Sequence, residues 1–392
     1  MQPVICSIAR TPIGRFNGGL APLSAMDLGG VAITGALERA GLAGSDVDEV
    51  MFGHVLQAGQ GQITARQAAV RAGVPMTVPA VTINKVCLSG LTAIQEAANH
   101  VRLGESTFVV AGGMESMTNA PYVLPGAREG YRMGNKEVVD VMTHDGLFCA
   151  FDSCMMGESS DRKNDDLGIG RTEQDAWSAS SHARAAKATE DGTFAREIVS
   201  VLVPQRRGEP INVDSDEGIR TATTQESLGS LRPAFHPGGT ITAGNASQIS
   251  DGAAAVVVAD RAAAEAAGLP IIAEFVGYGQ TAGPDATLHE RPAEALRIAL
   301  KRSSLDVGDL DLFEFNEAFA SVALWSARML GIDDARVNVH GGAVALGHPL
   351  GATGARIVVT LLNALAARGG EFGAAALCGG GGQGDAMIVR MV

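Results

Sequence analysis

Several things are scarce in this 392-residue chain, and each shortage removes a class of protein. Aromatic residues make up only 4% of it, a gap filled by Ala, Val, Ile and Leu, which suits closely packed helices on a sheet. Hydrophobic residues reach 46%, so the chain can bury a core and is not a disordered polymer. Positive charge is short: 30 Lys and Arg face 43 Asp and Glu, leaving −13, and Lys occurs only at 85, 136, 163, 187 and 301. That balance excludes a general nucleic-acid binder, which needs a basic field around the phosphates. A small anionic ligand is still admissible where a local Arg or a helix N-terminus receives it. Cysteine is sparse and odd in number (Cys6, Cys87, Cys149, Cys154, Cys378), with no Cys-x-x-Cys pair, so neither a disulfide framework nor a zinc site is indicated. No uncharged apolar run reaches membrane-spanning length, and residues 1–10 lack a basic stretch followed by a long apolar one. The expectation is a cytoplasmic protein with no membrane and no nucleic-acid partner.

Glycine is abundant: 50 residues, with no collagen-like period, to be sought at turns and close backbone approaches. Three textures follow one another. Residues 1–118 alternate short β-branched runs (Val50–Phe52, Val81–Asn84, Phe108–Ala111) with Ala-rich helical stretches. Residues 119–250 are richer in Met, Gly, Asp, Ser and Pro, and residues 251–392 return to the first texture. The alternation reads as α/β with largely parallel sheets. A shift of 263 positions aligns Ala36–Phe52 with Ala299–Phe315, with seven identities in seventeen: Ala36/Ala299, Leu37/Leu300, Arg39/Arg302, Leu42/Leu305, Asp46/Asp309, Asp48/Asp311 and Phe52/Phe315. A weaker echo pairs Ala111-Gly-Gly with Cys378-Gly-Gly, each read as the end of a strand. Two similar halves follow from this: 1–118, completed by about 251–268, and 269–392, with 119–250 inserted as a loop domain.

Ligands of open α/β sheets bind beyond the carboxyl ends of strands, so the loops there are where chemistry is expected. Cys87 follows Val81–Lys85 and precedes a helical stretch from Leu91; free N–H groups at a helix start favour a thiolate, although most free cysteines are simply buried. Asn316 ends the run Asp311–Phe315 ahead of a helix expected over Glu317–Met329, where it could donate to an oxygen or merely cap. His348 stands before Pro349 among glycines 341, 342, 347 and 351, in an uncharged setting suited to an acid–base or oxyanion donor. Cys378 ends Ala374–Leu377 and enters Gly379-Gly-Gly-Gly-Gln-Gly384. That loop formally matches a dinucleotide fingerprint, but no helix follows it and it lacks the acidic partner about 20 residues on. Bare backbone N–H groups brought to a reacting oxygen are its better use.

Together these loops resemble the thiolase family, the enzymes that make or cleave 3-ketoacyl-CoA. Ile8-Ala-Arg-Thr-Pro-Ile-Gly14, Gly112-Gly-Met-Glu-Ser-Met-Thr-Asn-Ala-Pro-Tyr122, Asn316-Glu-Ala-Phe319, Gly347-His-Pro-Leu-Gly351 and Cys378-Gly-Gly-Gly-Gly-Gln-Gly384 carry the likeness over the whole chain. The resemblance implies a five-layer αβαβα fold from two duplicated α/β halves with an inserted loop domain, assembled as a homodimer or homotetramer. It implies Cys87 as the acyl-accepting nucleophile, His348 as its base, and Cys378 as the acid or base at the enolate carbon. His348 with a water held by Asn316 would form one oxyanion site; the backbone N–H groups of Cys87 and Gly380 would form the other. A side chain at 380 would hinder that loop from closing on the oxygen.

By the same resemblance CoA and acyl-CoA are substrates, no cofactor or metal is needed, and Arg220, Ser227 and Ser247 contact CoA. Leu147, Met156, Phe235, Ala243 and Phe319 are apolar candidates for the pantetheine tunnel, each equally explicable as core. Met155 stands where short-chain members place a His, and Ala286-Thr-Leu-His-Glu-Arg291 replaces a Gly-rich stretch that brings a Met towards the acyl pocket. The resemblance implies an acetyl-CoA acetyltransferase; because both departures fall on loops that shape the acyl end of the site, a longer-chain 3-ketoacyl-CoA thiolase of fatty-acid breakdown is the alternative. A decarboxylating ketoacyl synthase would show a Cys with two His. A non-catalytic CoA or lipid carrier would have lost a reactive residue, and none is missing.

Overall fold

The computed structural model describes all 392 residues. Its backbone is one ten-stranded sheet that bends into two half-sheets. The N-terminal half-sheet runs Ala80–Ile83, Glu49–Gly53, Phe108–Ser116, Ser250–Asp260, Pro3–Arg10, with the short Gly14–Arg15 beside Ser250. The C-terminal one runs Ala273–Ala282, Gln383–Met391, Phe372–Gly379, Leu312–Phe315. Only Val4 and Ile5, paired with Glu274 and Ala273, join them.

The largely parallel sheet expected from the sequence is corrected here. Parallel pairing is confined to Glu49–Gly53 with its two neighbours and to Leu312–Phe315 with Phe372–Gly379; the remaining pairs are antiparallel. The reason is that each half closes on a long strand that returns beside its predecessor, Gln383–Met391 beside Phe372–Gly379 and the fully buried Ser250–Asp260 beside Phe108–Ser116. A strand buried on both faces reads as a continuous apolar run whichever way it points.

Helices Ser89–Leu103 and Leu350–Arg368 form the middle layer and pack against both half-sheets. Helices Ala25–Ala40 and Thr64–Arg71 cover the outer face of the first, and Arg291–Ser303 with Ala320–Leu330 cover that of the second, giving an αβαβα sandwich. Leu350–Arg368 is long and apolar enough to cross a membrane by length and composition, but nearly all of it is buried within this sandwich. Its first turn approaches strand Phe108–Ser116 so closely that a Cβ on Gly113 would lie 1.9 Å from the Gly351 carbonyl oxygen. Gly112 and Gly113 are thus mid-strand contacts, not a strand end like Cys378–Gly379, and the weaker echo fails. The longer repeat holds as structure. Helix Ala25–Ala40, a tight turn at Gly44–Asp46 and strand Glu49–Gly53 recur as helix Arg291–Ser303, a turn at Val307–Asp309 and strand Leu312–Phe315.

Between strands Phe108–Ser116 and Ser250–Asp260 the chain leaves the sandwich. It forms short hairpins, helix Met156–Leu167 and the 20-residue helix Arg171–Glu190. This excursion is anchored by Glu317, a buried carboxylate that accepts from Trp177 Nε1 (2.9 Å), Ser181 Oγ (2.8 Å), Asn338 Nδ2 (2.9 Å) and the Val344 backbone N–H (3.0 Å).

Candidate active site

Five residues, 84–88, join strand Ala80–Ile83 to helix Ser89–Leu103, and Cys87 lies in this bend. Ser89 Oγ accepts from the Lys85 N–H at 2.8 Å and Asn84 Oδ1 from the Val86 N–H at 3.0 Å, tightening the turn. Val86 pays with φ of 51°, a left-handed conformation that a β-branched residue avoids. Strain of this kind collects where a side chain must be aimed.

The other half supplies His348. Its backbone N–H donates to the Gln248 carbonyl at 3.0 Å, and its Nε2 lies 3.2 Å from Cys87 Sγ. Its Nδ1 lies 2.6 Å from Thr353 Oγ1, whose hydroxyl is itself 2.9 Å from the Pro349 carbonyl. Thr353 has one proton and the carbonyl can only accept, so Nδ1–H donates to Thr353 and Nε2 turns a lone pair to the sulfur. Thr353 was not among the residues singled out from the sequence. As a Thr inside a helix, one turn after a Pro, it carried no signal of its role.

Burial decides the charge states. It pushes the Cys87 thiol up to about 12; the backbone N–H groups of Cys87 and Gly380 pull the other way, and the Glu115 carboxylate adds to the rise. The expected thiolate at a helix start is corrected: loss of water outweighs the helix end and the two N–H groups. Burial, helped by the Arg356 charge, lowers His348 to about 3. The Cys378 thiol is raised by burial and then by negative charge on Cys87. At neutral pH all three are uncharged.

Asn316 follows strand Leu312–Phe315 and is fully buried. The next helix starts at Ala320, three residues later than expected, with Phe319 at its cap position, so Asn316 does not cap it. Its Nδ2 comes within 3.5 Å of His348 Nε2, and its Oδ1 has no partner in the chain. Cys378 is the last residue but one of strand Phe372–Gly379, and residues 380–382 turn directly into the antiparallel strand Gln383–Met391, so the glycine loop is a hairpin and not a dinucleotide site.

Cys87, His348, Cys378 and Gly380 share a narrow cavity of about 50 Å³ with Leu147, Met156, Ser247, Leu288, Ala318, Phe319, Leu350 and Gly379. Phe235 stacks edge-on against Phe319, 6.3 Å between centroids, and so stands behind the lining. Arg220, Ser227 and Ala243 are exposed and are not brought to this cavity; the Ser227 hydroxyl bonds locally to the Thr224 carbonyl. Within the chain a Cβ on Gly380 would meet Val86 at 3.4 Å and Met156 Sδ at 3.6 Å, ordinary contacts. The hairpin demands glycine at Gly382, with φ of 68° and a Cβ site 2.0 Å from the Asp285 carbonyl, and at Gly384, whose Cβ would lie 2.4 Å from the Arg291 carbonyl.

Both halves of the chain match family models. Residues 3–262 match the thiolase N-terminal domain, and residues 269–391 match the thiolase C-terminal domain. The chain belongs to the thiolase family. Among curated proteins, this thiolase is 52% identical over 387 residues to the probable acetyl-CoA acetyltransferase of Mycolicibacterium smegmatis, covering 99% of this chain and 100% of that one. It is 48% identical over 388 residues to the acetyl-CoA acetyltransferase of Escherichia coli K12, covering 99% and 98%. The crystal structure of the Bacillus anthracis acetyl-CoA acetyltransferase superposes with a TM-score of 0.97 at 39% identity, over 100% of this chain and 99% of that one.

Two stretches of this thiolase depart from the short-chain pattern. Met155 pairs with Phe148 across a short hairpin and stays out of the cavity lining, while Met156 enters it. In the 286–291 stretch Leu288 lines the cavity, His289 is buried against Asn164 (2.8 Å) and Ser321 (3.2 Å), and Arg291 pairs with Glu290 and Glu294.

Two further acidic residues escaped the sequence reading. Glu115, in Gly112–Tyr122, accepts from Val55 N (3.1 Å), Leu56 N (3.2 Å) and Gly351 N (2.9 Å), binding the N-terminal strand to the start of the helix that follows His348. Glu317 does the same for the loop domain. A lone Glu beside a motif does not reveal which distant N–H groups it will meet.

Proposed function

We propose that this thiolase is an acetyl-CoA C-acetyltransferase, interconverting two acetyl-CoA with acetoacetyl-CoA and CoA through an acyl-Cys87 intermediate. The observation that carries this is the shared cavity of Cys87, His348 and Cys378, with His348 Nε2 at 3.2 Å from the Cys87 sulfur. A thiol and an imidazole that both rest uncharged suit a proton moved at the moment of attack.

In the cleavage direction Cys87 gives its proton to His348 and its sulfur bonds to the 3-keto carbon. The tetrahedral oxyanion receives the N–H groups of Cys87 and Gly380, each donor of this kind contributing about 2.7–4 kcal/mol. The carbon–carbon bond breaks, and the electrons pass to the enolate of acetyl-CoA. Its oxygen faces the His348 imidazole and a water held by the unpartnered Asn316 Oδ1. Cys378, protonated at rest, delivers its proton to the enolate carbon. Incoming CoA thiol returns a proton to Cys378 and takes the acyl group from Cys87, whose leaving sulfur recovers its proton from His348. Condensation is the reverse, with the Cys378 thiolate removing the α-proton.

The small, apolar cavity supports an acetyl group on Cys87; Leu288, Ala318 and Leu350 leave little length beyond it. Ser247 in the lining, with exposed Arg220 and Ser227 outside it, supports CoA entry from the loop-domain side. Leu147, Met156 and Phe319 flank the pantetheine, Phe235 supports Phe319, and Ala243 stands nearer the surface. We extend the proposal to a cytoplasmic homodimer or homotetramer in fatty-acid metabolism. Five unpaired cysteines suit a reducing compartment, and the exposed apolar Tyr122, Leu124, Met133 and Val138 suit a subunit contact. The experiment is thiolysis of 3-ketoacyl-CoA against chain length: the rate should be greatest with acetoacetyl-CoA, and a greater rate with longer chains would overturn the acetyl assignment.

A further inference from the structure

The loop of Cys87 and the hairpin of Cys378 come from different halves of the chain, and one buried carboxylate ties them together. Asp385 is fully buried on strand Gln383–Met391, opposite Leu377 and one residue after the partner of Cys378. Lys85, two residues before Cys87, places Nζ at 2.8 Å from Asp385 Oδ1 and 2.9 Å from Oδ2. Thr92 Oγ1, on the helix that follows Cys87, donates to Oδ2 at 3.0 Å, and Tyr278 OH donates to it at 2.8 Å. The Lys85 ammonium also reaches Gln280 Oε1 at 3.3 Å and is only one-fifth exposed.

Both N–H groups that face the Cys87 sulfur hang from these two segments: that of Cys87 from the Lys85 loop, and that of Gly380 from the hairpin bearing Asp385. Between Lys85 and Cys87 lies Val86 in its left-handed conformation. A strained bend persists only where its surroundings hold it, and the charge pair grips it on the side nearest the hairpin.

We propose that Lys85 and Asp385 are a positioning pair that sets the spacing of the Cys87 and Gly380 N–H groups. Neither touches the acyl group; the pair acts through the backbone it holds. This rests on the acyl-Cys87 reading of the site and adds to it the device that fixes the oxyanion hole.

Lys85→Met, Lys85→Arg, Asp385→Asn and the wild type are compared for the rate of Cys87 acetylation by acetyl-CoA in a single turnover, for thiolysis kcat and KM, and for Tm. Positional errors near 1 Å cost about 100-fold in rate, so Lys85→Met should acetylate about 10- to 100-fold more slowly with kcat falling in step. KM should stay within about threefold, since an interaction made only in the transition state leaves ground-state binding alone. Lys85→Arg, which keeps the charge, should recover most of the rate. A Lys85→Met enzyme whose rate per folded molecule is within twofold of wild type overturns the proposal, even if its Tm falls. Should Asp385→Asn not fold, Tyr278→Phe removes one donor from the same carboxylate and should give a smaller loss of the same kind. Absence of acetyl-Cys87 in the wild type would instead overturn the underlying reading of the site.

Discussion

The Nε2 atom of His348 stands 3.2 Å from the sulfur of Cys87, and both groups are uncharged while the site is at rest. This separates the thiolase from cysteine enzymes that hold a preformed thiolate–imidazolium pair. Subtracting the ultraviolet spectrum of Cys87→Ala from that of the wild type at pH 7 should leave no thiolate band. A thiolate band in that difference would contradict the neutral pair.

Thr353 keeps the imidazole in the productive tautomer by accepting from Nδ1 at 2.6 Å. Thr353→Val removes the acceptor while nearly preserving shape. Its kcat should fall about 10- to 100-fold, the range of a lost orienting contact in general acid–base catalysis, with KM little changed. Thr353→Ser should behave as wild type. Equal activity in the Val and Ser variants would show that the bond does not orient His348.

Acid should weaken the fold through its buried histidines. Burial lowers His348 to about 3 and His289 and His182 to about 4, against about 6.5 when unfolded. The unfolded chain binds these protons first, so stability present above pH 6.5 is lost progressively as pH falls towards 4 and 3. Calorimetric Tm should drop steadily across that window. His289→Gln, which keeps a hydrogen-bonding side chain at Asn164 and Ser321, should flatten the slope. An unchanged slope would mean that His289 is not kept neutral by the fold.

Much of this site was legible because Cys87 and Asn316 end strand-like runs and His348 and Cys378 sit in loops rich in glycine. Cys87, Asn316 and Cys378 lie at or just beyond strand ends, as expected of an α/β protein, whereas His348 lies between the short helix Ala343–Leu346 and helix Leu350–Arg368 and follows no strand. The repeat at Ala36–Phe52 and Ala299–Phe315 foretold two halves because a helix, a turn and a strand recur with spacing intact. Strand direction was not legible: Ser250–Asp260 is buried on both faces and carries no alternation to betray antiparallel pairing. Nor were the partners of charge. Glu115, Glu317 and the Lys85–Asp385 pair act across tens to hundreds of residues, and the sign of the Cys87 shift depends on burial that no local motif records.

Glu317 tests how the loop domain is held. Four donors converge on its carboxylate, and each would be left buried without an acceptor at about 1–3 kcal/mol. Glu317→Ala should therefore lower stability by about 3 kcal/mol or more, seen as an earlier denaturation midpoint. A change under about 1 kcal/mol, within the range of ordinary surface substitutions, would show that the excursion is anchored elsewhere.

Leu288 closes the acyl end of the cavity beside Cys378, with Ala318 and Val322 packed against it. Leu288→Ala should raise relative thiolysis of a six-carbon 3-ketoacyl-CoA about 10-fold or more, since one methylene in such a pocket is worth about 1–3 kcal/mol. An unchanged chain-length profile would place the limit on another wall.

In the proposed reaction the two cysteines divide the work, and one measurement separates them. Wild type, Cys87→Ala and Cys378→Ala are mixed with acetyl-CoA, quenched, digested and analysed by mass spectrometry for an acetyl group. The account predicts acetylation of Cys87 in the wild type and in Cys378→Ala, the latter forming no acetoacetyl-CoA, and none in Cys87→Ala. Acetylation of Cys378 in place of Cys87, or full condensation by Cys378→Ala, would contradict it.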